Sequence, residues 1–238
     1  MIISWFSAGV TSAVATHLAI EKYEDVKIIY FETGNHHADN ERFIADCEKW
    51  YGQEIEIIQN PNHEDIYSVF RKRKFLNSPY GAPCTLELKK DMRRKIESEN
   101  TFTHQVFGFE DEKRERMRAL RFSKDYPHTR AIYPLIDEGL NKLDCIKILN
   151  NEGIEVPKMY KLGYSNNNCV GCVKGGMGYF NKIRIDFPEV FERLAKLERE
   201  LNATCLNGQF LDELDPNRGR MSKPLVQDCG IFCEENYA

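Results

Sequence analysis

The chain opens with an apolar run, Ile2–Phe6, that passes at once into the small-residue turn Ser7-Ala8-Gly9. A helical pattern follows over Ala13–Lys22, with Val14, Leu18 and Ala19 on its apolar side. Strand, tight turn and helix form the unit from which parallel sheets are assembled, because parallel neighbours need a crossover between them. The unit recurs, with strands at Val26–Phe31, Glu54–Ile58 and Gln105–Phe109 and a helix over Asp39–Tyr51. This alternation predicts an α/β fold, a doubly wound, mostly parallel sheet with helices on both faces.

Further along, a helix is expected from Asn141 to Gly153, where glycine precedes Val156-Pro157. The Gly-, Asn- and Cys-rich stretch Tyr160–Gly178 reads as irregular, and Pro188–Leu201 resumes a helical period. The tail from Asn207 to Ala238 is expected to fold back over the site. At 238 residues and 42% hydrophobic, the chain can bury a sizeable core. Its formal net charge of −4 gives no global pull towards nucleic acid or anionic membrane. The basic segments Arg71–Lys74 and Lys89–Lys95 read either as solvated helix faces or as a rim for a phosphorylated substrate. Nucleic acid is a possible partner for these segments but is not favoured. No apolar run approaches the roughly 20 residues that span a bilayer, and Met1-Ile2-Ile3 reads as a strand, not a signal peptide. The expectation is a soluble, cytoplasmic protein with no membrane partner and room for a homo-oligomer.

The turn Ser7-Ala8-Gly9-Val10-Thr11-Ser12 has the composition of a phosphate grip. First-turn N–H groups lack helical partners and the helix dipole favours an anion there. Gly9 allows close backbone approach, and Ser7, Thr11 and Ser12 offer hydroxyl donors. The Gly-Lys-Thr ending of a Walker A loop is absent. The competing reading is an ordinary strand–helix turn with a Ser or Thr cap.

Other segments complete a pattern. Phe31-Glu32-Thr33-Gly34 closes the second strand, and Gly108-Phe109-Glu110-Asp111-Glu112, with Arg114 and Arg116 beyond, follows the fourth. Tyr133-Pro134-Leu135-Ile136, then Val156–Ser165, lead to Cys169-Val170-Gly171-Cys172. Together these resemble the PP-loop, or adenine nucleotide alpha-hydrolase-like, superfamily, and within it the phosphoadenosine phosphosulfate (PAPS) reductase family. The resemblance implies a nucleotide-binding α/β domain over residues 1–160 and a Cys-rich C-terminal segment over 161–238 packed on the same domain. It implies nucleotide contacts at Ser7, Ala8, Gly9, Val10, Thr11, Ser12, Phe31, Glu32, Thr33, Gly34, Gly108, Arg114 and Arg116. Three residues depart from the family pattern: Ala8 for a loop glycine, Thr11 for the loop acid, and Glu110 for an arginine.

Eight cysteines without an export signal point to metal binding or thiol chemistry, not a disulfide scaffold. Cys47 and Cys145 fall on amphipathic helices and read as buried small hydrophobes. Cys169 and Cys172 have the spacing at which two thiolates meet one metal. By resemblance to iron–sulfur members of the family, Cys84 would join them, with the fourth ligand from Cys229 or Cys233. All-thiolate sites suit either a 4Fe–4S iron–sulfur cluster or zinc. Asp228-Cys229-Gly230-Ile231-Phe232 resembles the family's nucleophile motif, with Phe232 where histidine would stand, which makes Cys229 the candidate nucleophile and Cys233 the candidate ligand. Cys205 has no evident partner. His36 and His37 read either as ribose or acid–base contacts or as an exposed loop pair.

The reaction implied by the resemblance is reductive cleavage of a sulfonucleotide to sulfite, with a thioredoxin-like donor as partner. Glu110, standing where such a substrate would want a cation, keeps open an ATP pyrophosphatase that adenylates a nucleobase or small molecule. Ala8, Glu110 and Phe232, each standing where the family has another residue, also keep open a non-catalytic nucleotide-binding module. The nucleotide would be ATP or PAPS accordingly.

Overall fold

β1 (Ile2–Phe6) is buried along its whole length, as expected of a strand with neighbours on both edges and helices around the sheet. The computed structural model describes residues 1–78 and 81–221. The first elements after β1 are α1 (Val10–Lys22), β2 (Val26–Glu32), α2 (Asp39–Tyr51), β3 (Glu56–Gln59) and α3 (Ile66–Arg73). A short turn α4 (Pro83–Thr85) runs through a π-helical turn, Leu86–Lys90, into α5 (Asp91–Glu99). Then come β4 (His104–Val106), α6 (Lys113–Asp125), β5 (Ala131–Ile132), α7 (Pro134–Asp137) and α8 (Lys142–Asn151). The last are α9 (Lys158–Lys161), α10 (Met177–Asp186) and α11 (Pro188–Leu201).

The five strands lie in the order β3-β2-β1-β4-β5. β1 runs parallel to both β2 and β4, and β4 parallel to β5. Strand order thus reverses at β1, so the chain leaves β1 and β4 at a switch point, where open α/β sheets place ligands beyond the strand ends.

Chain segments gather into two compact units, interleaved in sequence. The first takes Met1–Phe31, Ala38–Ile58 and Lys95–Lys158; the second takes Glu32–His37, Gln59–Arg94 and Met159 onward. In the first unit, Ile3, Ile28 and Ile29 are buried beneath an aromatic group in which Phe6 faces Tyr30, Phe43 and Tyr51. Two polar pairs within this core satisfy each other: Ser4 Oγ meets Thr16 Oγ1 at 2.8 Å, and Trp5 Nε1 donates to Gln105 Oε1 at 2.8 Å. In the second unit, α3, α10 and α11 supply Tyr67, Phe70, Phe180, Ile183, Leu194 and Leu197 to a core that also contains Cys169, Cys172 and Cys205.

α2 and α11 have the predicted bounds; α8, expected over Asn141–Gly153, runs Lys142–Asn151, with Asn141 as its N-cap accepting from Leu143 N and Asp144 N in a capping box. α1 begins at Val10, three residues before the expected Ala13, because Gly9 is the extended N-cap. Thr11 and Ser12 therefore stand in its first turn. β4 ends at Val106, not Phe109, and the chain turns away after Phe107 N donates to Ile132 O. β5, only two residues long, and α10, buried on several sides, carry no readable period in sequence.

Candidate functional site

The first unit holds the turn Ser7–Ser12. Ser12 Oγ donates to Gly9 O at 2.9 Å and accepts from Ser7 N at 3.1 Å and Ser7 Oγ at 3.0 Å. One hydroxyl thus closes the turn on itself. Gly9 supplies no side-chain cap to α1, the arrangement expected where an anion serves that end.

Ala8 is fully buried with φ 56°. It occupies the left-handed region in the place where related loops carry glycine, so the departure in residue type preserves the backbone at a steric cost of about 1–2 kcal/mol. Ala8→Gly is expected to raise stability by about 1 kcal/mol, the strain relieved less the extra unfolded-state entropy of glycine. Chemical denaturation measures it, and a loss of stability would contradict the assignment of strain.

Gly108 follows β4 at the switch point and approaches the same helix end. A Cβ there would lie 2.8 Å from both Ser12 N and Ser12 Cα and 3.0 Å from Thr11 C. The position therefore requires glycine for close backbone packing, not for an unusual φ. Beyond it, Glu110 Oε2 accepts from Lys142 N at 2.7 Å, and its other oxygen pairs with Lys142 Nζ at 3.4 Å. The carboxylate that replaces an arginine thus fixes the start of α8. Arg116 is held by Asp111 through two hydrogen bonds, and Arg114 is exposed on the first turn of α6. Phe31 is buried and stacked on Trp5 at 5.5 Å, which makes its side chain part of the core.

The second unit gathers the rest of the β2 motif around the thiols. Glu32 Oε1 accepts from Gly34 N at 2.6 Å and faces His36 Nδ1 at 3.3 Å. Thr33 Oγ1 lies 3.0 Å from Cys169 Sγ and 3.4 Å from His36 Nε2. Val170 N donates to Asn35 O at 2.8 Å, tying the Cys-x-x-Cys turn to the same segment. Burial alone would lower the His36 pKa; Cys169 and Glu32 beside it outweigh that, and the imidazole is raised to about 9 despite the opposing charge of Lys89. The carboxyl of Glu32 is pulled up by burial but held below its ordinary range overall, chiefly by His36. His37 instead packs edge-on to Phe187.

Cys169 and Cys172 are both buried. The turn between them is pinned by Tyr179, whose hydroxyl accepts from Cys172 N at 2.9 Å and donates to Cys169 O at 3.3 Å. Gly171 has φ 77°, and a Cβ on it would meet Val190 Cγ1 at 2.6 Å and Leu194 Cδ1 at 2.8 Å, so only glycine suits this turn. Cys84 is half-buried against the same core. Cys205, unassigned from sequence, is buried, and its thiol is pushed well up by burial, by Glu198 and by Cys84. Glu198 is fully buried and accepts from Cys205 N and Leu211 N at 2.6 Å each. Cys47 and Cys145 are buried in the first unit, and burial pushes each thiol up to about 12.

The described cysteines form no disulfide. Among the described residues, no three His, Cys, Asp or Glu side chains are grouped so as to hold a metal ion. Cys229 and Cys233 lie outside the described residues. Likewise, no helix among the described residues is long and apolar enough to cross a membrane.

Sequence reasoning singled out Thr33 and Cys169 separately and gave no sign that they touch. His36 and Tyr179 were open or unmentioned, since a contact spanning 136 residues, such as Thr33 to Cys169, leaves no local periodicity. Only the clustering of Cys, Gly and Asn in Tyr160–Gly178 pointed to the region.

Comparison with known proteins sets these features in a family. The chain is 23% identical over 192 residues to one uncharacterised protein of Methanocaldococcus jannaschii, covering 79% of this chain and 45% of that protein. To a second uncharacterised protein of the same organism it is 24% identical over 206 residues, covering 82% of this chain and 41% of that protein. The chain thus spans less than half the length of these curated relatives. The sequence model of the phosphoadenosine phosphosulfate reductase domain matches residues 1–176. That match takes in the turn after β1, the end of β2, the close approach at Gly108 and the Cys-x-x-Cys turn, and with it the chain belongs to the phosphoadenosine phosphosulfate reductase domain family.

Proposed function

We propose that this protein is an enzyme that binds an adenine nucleotide by its phosphates at Ser7–Ser12 and cleaves a sulfonucleotide reductively, releasing sulfite. The observation that carries the binding half is the helix end itself: α1 has no side-chain cap, and Ser7, Gly9 and Ser12 are locked into a turn around its first residues. Val10, Thr11 and Ser12 open that first turn, where dipole and amides favour an anion. The hydroxyl of Thr11 supplies a further donor.

Cleavage needs a thiolate to attack the sulfonate sulfur. The nucleotide leaves with the bridging oxygen, a thiosulfonate remains on cysteine, and a second thiol displaces sulfite as a disulfide forms. Cys229 is the nucleophile suggested by family resemblance, and the second thiol would come from a thioredoxin-like dithiol donor. A cluster on Cys84, Cys169, Cys172 and Cys233 would be expected in iron–sulfur relatives. Among the described residues no three such side chains are grouped so as to hold a metal ion, and Cys233 lies outside them. No step is routed through it.

An ATP pyrophosphatase is the second reading, and Glu110 favours it. Its carboxylate is committed to Lys142 where a sulfonucleotide would be met by a cation. Incubation of the full chain with PAPS, adenosine phosphosulfate or ATP, each with a dithiol reductant, separates the two. Sulfite from a sulfonucleotide is the expected result. Pyrophosphate from ATP with no sulfite would replace this reading with the second, and tight binding without turnover would leave a nucleotide-binding module.

A further inference from the structure

In α6 one face turns inward, with Ala119 and Phe122 buried and Phe122 against Phe107 and Phe109. At helical spacing the opposite stripe is Lys113, Met117, Leu120 and Lys124. Met117 is 56% exposed and Leu120 67%, and they are the only large apolar side chains among the described residues that stand exposed one turn apart on a helix. Arg121 is exposed beside them, and neither it nor Lys113 or Lys124 enters an ion pair among the described residues. An apolar crest with a cationic rim has the anatomy of a docking surface, here in a chain of net charge −4.

A surface of opposite character lies in the same unit. A cleft of about 190 Å³ opens between the end of α1 and α7, with Leu18, Ala19, Ile132 and Pro134 as its apolar lining. That volume holds on the order of a dozen waters, room for a large aliphatic side chain. Glu21, Asp137 and Glu138 stand exposed at its rim, against the single cation Lys22, which lies over the Tyr23 ring. The rim is therefore net negative, and the C-terminal end of α1 adds to it. Crest and cleft cannot meet within one molecule. The connections β1–α1–β2 and β4–α6–β5 join parallel neighbours and run in opposite directions across the sheet. Right-handed crossovers put α1 and α6 on opposite faces, and α7 packs with α1.

We propose that the Met117–Leu120 crest of one copy docks into the α1–α7 cleft of a second copy of this chain, with Lys113, Arg121 and Lys124 facing the carboxylates of Glu21, Asp137 and Glu138. Shape and charge select this occupant together. The cleft takes an aliphatic group surrounded by cations, and α6 presents that combination. A polyanion such as RNA would satisfy the cations of α6 and leave the acidic cleft unmatched. Crest and cleft are different patches, so the contact is heterologous: every added copy offers one further crest and one further cleft, and growth ends only where a ring closes. One pair of apolar side chains with a charged rim makes a weak, transient contact. Both surfaces lie in the first unit and do not depend on the sulfonucleotide reading.

The test is analytical sedimentation of the full chain, kept reduced, at concentrations up to about 1 mM. The weight-average mass of the wild type is expected to rise with concentration and to rise less at ~0.5 M salt, where the rim charges are screened. Met117→Gln with Leu120→Gln removes the apolar crest while keeping good helix formers in α6. Asp137→Lys with Glu138→Lys reverses the rim of the cleft. Each variant alone is expected to associate at least about tenfold more weakly than the wild type. Mixed in equal amounts, the two are expected to pair with wild-type affinity and stop at a dimer, because one intact crest and one intact cleft remain. Circular dichroism checks both folds, and Leu120→Gln or Glu21→Lys alone replaces a variant that fails to fold. Association unchanged in either variant, or a mixture that stays monomeric, would overturn the proposal. A monomeric wild type would also overturn it, and a labelled RNA oligonucleotide bound by that monomer would give α6 to nucleic acid instead.

Discussion

Gly108→Ala is expected to weaken nucleotide binding by about a hundredfold and to destabilise the fold by about 1–3 kcal/mol. The added methyl would press on Ser12 N and Cα at 2.8 Å. Those are backbone atoms in the first turn of α1, so no rotamer change relieves the contact and the helix end itself must move. A displacement near 1 Å is enough to spoil a geometry-dependent site at that cost. Calorimetric titration with ATP and with PAPS, alongside a thermal melt, measures both effects. Wild-type affinity in a variant that is measurably destabilised would show that phosphates are not held at this helix end.

Glu87→Ala is expected to cost about 3 kcal/mol at neutral pH. Glu87 is buried and its carboxylate accepts from His63 Nε2 at 2.6 Å, from Lys72 Nζ at 3.2 Å and from Arg73 Nε. His63 is itself buried, with Nδ1 3.1 Å from Ser68 Oγ, so losing the carboxylate strands a buried ring nitrogen. Lys72 and Arg73 are exposed and regain water, which keeps the cost from rising further. Burial alone would raise the Glu87 pKa, but the donors Arg73, His63 and Lys72 outweigh it and hold the group below the usual carboxylate range. A lowered folded-state value contributes stability that is present above the unfolded pKa and lost as pH falls through the folded one. The gap between wild type and Glu87→Gln should therefore be widest at neutral pH and close in acid. Urea denaturation at about pH 7 and about pH 3 measures it. A gap that does not change with pH would assign the effect to packing.

The fold was legible where local pattern and tertiary role coincide. β1 and β2 could be placed because each is a short continuous apolar run, and α2 and α11 because their buried residues recur at the helical period. The turn Ser7–Ser12 was legible as an entry to a helix, because small and hydroxyl-bearing residues crowd six adjacent positions and Ser12 closes the turn on Ser7 and Gly9. Ala8 was read as a departure in residue type, and its backbone shows why it is tolerated: the left-handed conformation is kept at φ 56°. Glu110 was read as a lost cation, whereas its bond to Lys142 N gives it a structural task that sequence could not disclose. β5 failed to announce itself because two residues make no period. The Thr33–Cys169 contact and the Glu198 anchor for Cys205 were hidden for a different reason. The first joins segments 136 residues apart, and the second ties an irregular loop seven residues on to a buried carboxylate, so neither follows a helical or strand period.

The alternation of segments between the two units bears on how such a protein can be inherited. Following the chain from Met1, the backbone passes from one unit to the other at Glu32, Ala38, Gln59, Lys95 and Met159. No single cut yields either unit as an unbroken stretch. Gene fission or shuffling at any one site would leave both halves with missing core pieces, and a stop before Met159 would strand Gln59–Arg94 without Phe180, Leu194 and Leu197. The helix end at Ser7–Ser12 and the thiols at Cys169 and Cys172 are thereby obliged to travel as one genetic cassette. Growth of the longer relatives is accordingly expected at the chain's ends or in its surface loops, not by insertion of either unit alone.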